Sequence, residues 1–101
     1  MLNQCILVGR LVEDPVIKEV NGMPKTIVKL TIVRGYKNAT TGEYDSDEIP
    51  VTLWNGIAES TVQYCKADST VGIKARLKVT DGVLEVIAEK VTFINTKQDE
   101  D

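Results

Sequence analysis

Apolar and polar residues alternate along most of this chain, with a period close to two. "NQCILVGRLV" (3–12) reads as a strand. Gly9 sits inside it, where a bend or a close backbone approach is the usual reason. "EDP" (13–15) breaks the run and "VIKEV" (16–20) resumes it. "NGMP" (21–24) then turns the chain, Asn-Gly being a strong hairpin signal. In "KTIVKLTIVRGY" (25–36), Val28, Leu30 and Ile32 share one face and Lys29, Thr31 and Val33 the other, the pattern of a half-buried strand. Residues 37–46, "KNATTGEYDS", form a polar loop. "DEIPVTLWN" (47–55) alternates again, with Ile49, Val51 and Leu53 on one face and Pro50, Thr52 and Trp54 on the other. Pro50 cannot donate to a ladder, so this end of the strand is expected at an edge or a bulge.

The period changes once, in "GIAESTVQYCKADS" (56–69). Ala58, Val62 and Cys65 fall at i, i+4 and i+7, which predicts a short amphipathic helix. Alternation returns in "TVGIKARLKVT", with Val71, Ile73, Ala75, Leu77 and Val79 on one face, and continues past an Asp81-Gly82 turn into "VLEVIAEKVTFIN". The result is an all-β chain of five strands, the first interrupted, with one short helix between strands three and four. That is the layout of an OB-fold, a small Greek-key barrel. An SH3-like barrel is the nearest rival, but a helix after strand three favours the OB layout.

The last hairpin carries a basic stripe, Lys74, Arg76 and Lys78. A two-residue turn fixes its register. Lys78 then faces Glu85, Arg76 faces Ile87 and Lys74 faces Glu89. Cross-strand ion pairs stabilise by roughly 0.2–1 kcal/mol each, so two of the three cations are expected to be neutralised. Arg76 and the turn-proximal Lys78 are the better candidates for holding an anion.

Composition narrows the function. The 101 residues fit one domain of marginal size, for which partner subunits are a reasonable expectation. Twelve basic and fifteen acidic residues give a net charge of −3. Setting aside the acids at 99–101 leaves residues 1–98 with no net charge. A neutral body argues against a purely electrostatic grip on nucleic acid. There is no histidine, and the two cysteines, Cys5 and Cys65, lie in apolar runs and read as small core residues. No spacing suggests a metal site and no cofactor is expected. The carboxylates Glu43, Asp45 and Asp47 alternate onto one face but lack a catalytic partner, so no enzyme is expected. No apolar run is long enough to span a membrane, and no signal-peptide pattern opens the chain. The expected location is the cytoplasm.

Three segments resemble the bacterial single-stranded DNA-binding protein family. "MLNQCILVGRLVEDP" is close to that family's Asn-x-x-x-Leu-Val-Gly-Arg/Asn-Leu-x-x-Asp-Pro. "VTLWNGIAESTVQYC" is similar to its apolar strand ending in an aromatic and running into a helix, and "VGIKARL" to its Val-x-Ile/Val-x-Gly-x-Leu. The resemblance spans residues 1 to about 95. It implies an OB-fold, expected here over residues 1–96, and residues 97–101 read as a short acidic stub in place of that family's long tail. It also implies sequence-independent binding of single-stranded DNA in replication, recombination or repair. Aromatic side chains would stack on bases and basic ones would hold phosphates. Trp54 matches the aromatic that ends strand three and Tyr36 the one that ends strand two. Lys78 matches a basic position near the end of strand four, Lys29 lies on the outward face of strand two on the side of the groove, and Arg34 and Arg76 complete the available cations. Assembly into a dimer or tetramer, partly through the first strands, is implied as well. Replication proteins are further implied partners, although the acidic-hydrophobic tip that recruits them is absent from "TKQDED". The alternative is an OB-fold replication accessory or assembly protein whose barrel face mainly binds protein.

Overall fold

The computed structural model describes residues 1–97. Five long strands close a barrel. They are β1 (Cys5–Leu11), β3 (Met23–Lys37), β4 (Tyr44–Trp54), β5 (Thr70–Thr80) and β6 (Val83–Asn95). A short strand, β2 (Lys18–Val20), pairs onto the outer edge of β3, and α1 (Asn55–Tyr64) links β4 to β5. The sheet runs β1-β5-β6-β4-β3-β2, and β1 meets β3 to close it.

Closure depends on Gly9. β1 pairs with β5 from Cys5↔Ala75 to Arg10↔Thr70 and switches to β3 at Arg10↔Thr31 and Leu11↔Leu30. A Cβ on Gly9 would lie 2.7 Å from the Thr31 carbonyl oxygen and 2.9 Å from Ile32 Cγ1. The close approach expected from the sequence is therefore real. The two Gly-containing hairpin turns are also as expected: Asn21 (φ 52) with Gly22 (φ 79), and Asp81 (φ 50) with Gly82 (φ 79), all in the left-handed region that a type I′ turn requires.

Alternation predicts the core well. Val28, Leu30, Val51, Leu53, Val71, Ile73 and Ala75 are buried, with Ile32 and Ile49 packed against them. Pro50 pairs with Lys29 on one side, while the other side of β4 is bridged to β6 only at Thr52↔Ile87, so the open edge expected there is present. Both cysteines are free thiols, and burial pushes the Cys65 thiol up.

Four expectations need correction. The helix ends at Tyr64 rather than near 69. Cys65 is extended, Asp68 adopts φ 70, and the Ser69 hydroxyl accepts the Lys66 N–H at 3.1 Å, which turns the chain back. Along the helix Thr61 is buried more deeply than Val62. β4 begins at Tyr44, because Asn38 draws the loop tight: its N–H donates to the Glu43 carbonyl at 2.7 Å and its Oδ1 accepts the Thr40 N–H at 2.8 Å. Finally, Leu77 and Val79 share the apolar face of β5 but are exposed, since the β5–β6 hairpin projects past the barrel.

At the chain's end the Lys97 N–H donates to Ser69 Oγ at 2.8 Å. The rest of the acidic stub, residues 98–101, lies outside the described residues.

Candidate nucleic-acid interface

The outer face of the barrel holds a shallow groove whose floor can be traced strand by strand. Ile27 in β3 pairs with Thr52 in β4, Thr52 with Ile87 in β6, and Ile87 with Arg76 in β5. Paired residues project to the same side, so these four form one row across four strands. Thr52 and Ile87 are buried although they face outward. Ile27 is exposed at one end of the row, and Arg76 stands at the other.

Trp54 stands next to this row. It ends β4 on the face of Thr52, away from Val51 and Leu53, and is half-exposed, in agreement with the outward placement expected from alternation. Trp54, Asn55, Ile57, Arg76, Ile87 and Lys90 line a single open groove of about 790 Å³. The indole has company on one side: Lys25, its cross-strand neighbour, holds Nζ 4.9 Å from the ring centroid. This cation–π contact was invisible to motif reading, because it exists only through the β3–β4 register.

The basic stripe departs from the expected pairing at one point. The register holds from Thr80↔Val83 through Ala75↔Ala88, including Lys78↔Glu85 and Arg76↔Ile87. A bulge between Lys74 and Ala75 then places Lys74 opposite Lys90 instead of Glu89. The extra residue, Glu89, swings toward Arg76 and approaches its Nε at 3.9 Å. The expected neutralisation is thus redistributed: Arg76 has Glu89 in reach, and Lys74 has no ion pair among the described residues. The Arg76–Glu89 contact is long and both side chains are more than 40% exposed, so solvent screens it and Arg76 stays available. Lys78 follows Arg76 on the same face and makes no ion pair with Glu85.

Lys29 is exposed on the outer face of β3, opposite Pro50, and has no ion pair among the described residues. Arg34 and Tyr36 lie elsewhere, at the far end of the β3–β4 hairpin. Arg34 follows Leu30 and Ile32 on the opposite side of β3 from Lys29. Two parallel hydrogen bonds tie it to Asp47, Nε to Oδ2 at 3.0 Å and Nη2 to Oδ1 at 2.9 Å. Asp47 keeps the guanidinium firmly charged, and Arg34 in turn holds the Asp47 carboxyl below the ordinary carboxylate range. Asp45 takes the Asn38 amide at 2.9 Å. These acids brace a hairpin. Tyr36 is 68% exposed and lies within the irregularity in the β3–β4 pairing, between Val33 and Lys37. Nearby, Lys37 Nζ lies 5.8 Å from the Tyr44 ring, a second aromatic–cation pair that the sequence reading did not single out. The structure thus joins Trp54, Arg76, Lys78 and Lys29 on one face and leaves Arg34 and Tyr36 on a separate arm.

Comparison with known proteins points the same way. The model of the Single-strand binding protein family matches residues 2–94. Single-stranded DNA-binding protein B of Bacillus subtilis is 37% identical over 107 aligned positions, covering 96% of this chain and 94% of that protein. Single-stranded DNA-binding protein 1 of Clostridium acetobutylicum is 35% identical, with coverage of 97% and 98%. Among solved structures, the SSB domain of a Synechococcus protein superposes with a TM-score of 0.68 at 19% identity, covering 90% of this chain and 94% of that one.

Proposed function

The chain belongs to the Single-strand binding protein family, and from that premise we propose how it holds its ligand. It binds single-stranded DNA without reading sequence, and its activity is binding rather than catalysis. A base stacks on Trp54 over the Thr52–Ile87 floor while Arg76, Lys78 and Lys29 take backbone phosphates. The observation that carries this reading is Trp54 itself: a half-exposed indole beside a groove, with cations around it. Stacking suits every base, because each has a π-face, and phosphate contacts are indifferent to sequence. Tyr36 and Arg34 are secondary contacts on the projecting arm. For Arg34 to grip a phosphate, Asp47 must release it.

We also propose that the protein self-associates. Ile6, Val8 and Ile94 are each more than half exposed, and the Val8 and Ile94 side chains flank Gly72. An apolar patch of this kind beside the free edge of β1 marks a subunit contact. Protection of single strands during replication, recombination or repair, in the cytoplasm, is the role that fits these properties. Among the described residues no helix is long and apolar enough to cross a membrane.

Fluorescence anisotropy of a labelled oligo-dT, set against a duplex of the same length, tests the binding reading. The single strand should bind at least tenfold more tightly at about 0.1 M salt, since paired bases hide the faces that Trp54 needs. Equal affinity for both would replace stacking with a general phosphate grip. No binding to either would favour the alternative in which this face mainly binds protein.

A further inference from the structure

The outer face of β2 and β3 carries a row of cations that the interface above does not use. Lys18 in β2 stands directly opposite Lys25 in β3, and Lys25 stands directly opposite Trp54 in β4. Opposed residues in antiparallel strands project to the same face, so Lys18, Lys25 and Trp54 form one line across three strands. The Lys25 ammonium over the Trp54 ring confirms that alignment.

The Lys18–Lys25 pairing is unfavourable for the fold. Like charges directly opposite each other destabilise a sheet, and neither lysine has an ion pair among the described residues. Glu13 and Asp14 line the same hollow as the two lysines. Asp14, however, is engaged in accepting the Ala67 N–H at 2.8 Å. Lys18 is exposed on a three-residue strand with one neighbour, so packing makes no demand for a second ammonium there. Adjacent strands lie about 4.8 Å apart, and both lysines have long flexible stems, so the pair can reach successive phosphates of one strand.

We propose that Lys18 and Lys25 form a phosphate-binding row that carries the single strand from Trp54 across β3 to the β2 edge. Arg76 and Lys78 stand on the other side of the indole. The strand therefore crosses the groove with its stacked base at Trp54 and cations on both flanks. A polyanion in the row offsets the repulsion that the free protein sustains. This inference rests on the single-strand reading above.

The test measures oligo-dT affinity of the full chain against salt, for the wild type and for Lys18→Gln, Lys25→Gln, Lys25→Arg and Trp54→Ala. Each phosphate contact on a single strand contributes about 0.7 to the slope of log affinity against log salt, equivalent to about fivefold in affinity at 0.1 M relative to 1 M. Lys18→Gln and Lys25→Gln should each lose about that factor at 0.1 M and flatten the slope by about 0.7. Lys25→Arg should keep the slope. Lys18→Gln should melt no lower than the wild type, since it removes a like-charge pair, and should leave Trp54 emission without DNA unchanged. If Lys18→Gln and Lys25→Gln keep wild-type affinity and slope while Trp54→Ala loses binding, the row is wrong and the stacking reading survives. A Lys18→Gln protein that loses binding only together with a lowered melting point also overturns the row, because the role is then structural. If the wild type does not bind oligo-dT, both readings fall together.

Discussion

Trp54 ends a strand whose neighbours Val51 and Leu53 fill the core, and the two-residue period alone turns it outward. Its placement was therefore legible in the sequence. Base–aromatic stacking in OB-fold single-strand binders, this family among them, is worth about 1–3 kcal/mol per base. Trp54→Ala should lose that much oligo-dT binding by titration, while Trp54→Phe should keep most of it. Both should melt cooperatively near the wild type, since the indole lies outside the core; an unfolded Trp54→Ala would contradict the placement. Arg34 was not legible in the same way. Its bidentate bond to Asp47 is a diagonal cross-strand contact, since Asp47 stands opposite Ile32, and residue types do not announce that register. Arg76→Ala should weaken oligo-dT binding and flatten its salt slope, whereas Arg34→Ala should do so far less, because its charge is already matched. The Asp47 carboxyl, held low by Arg34, binds its proton more weakly in the folded chain than in the unfolded one. The pair's contribution is then complete above the unfolded carboxyl's value of about 3.9 and is lost as pH falls through the lower folded value. The Arg34 Nε–H NMR resonance should stay constant through the ordinary carboxylate range and move only beneath it. A midpoint at the ordinary value would show that the pair is absent in solution.

At the scale of elements, turn chemistry decided more than strand propensity did. Asp81-Gly82 set the β5–β6 register correctly for six consecutive pairs, from Thr80↔Val83 to Ala75↔Ala88. The bulge at Lys74–Ala75 then moved Glu89 away from Lys74 and toward Arg76. Nothing in "EVIAEKV" marks that bulge, since a two-residue period continues through it on paper. Lys25 escaped notice for a related reason: its importance lies in standing opposite Lys18 and Trp54, and cross-strand neighbours are known only once the register is. Gly9, by contrast, was legible as a glycine in the middle of an apolar strand, where a close backbone approach is the usual reason. Gly9→Ala should lower stability in chemical denaturation by about 1–3 kcal/mol, the range for overpacking a tight contact. Gly82→Ala, at φ +79 with open space around it, should cost only about 1–2 kcal/mol from backbone strain. If Gly9→Ala proves neutral, β1 does not cross onto β3 as closely as described.

As a whole the molecule is less compact than its length requires. The Cα radius of gyration is 14.6 Å, against about 13 Å for a chain of this size. The excess belongs to the two projecting hairpins. Their tips expose Val33, Tyr36 and Tyr44 on one and Val79, Val83 and Leu84 on the other. Together with the Ile6, Val8 and Ile94 patch, these surfaces are what self-association would cover. Light scattering at micromolar concentration should report a dimer or tetramer, and a monomer of 11.1 kDa would remove that proposal. The barrel itself was legible because closure follows from strand order and a helix after the third long strand. The arms were not, because alternation reports which face a residue occupies and not whether anything lies opposite. Stacking on Trp54 is the claim on which the rest depends. Because it is the sole tryptophan, intrinsic fluorescence reports it without a label. Titrating the full chain with oligo-dT should quench the emission in a saturable way, and equal amounts of duplex should quench it far less. Emission that stays constant while an independent probe shows the single strand bound would contradict the account.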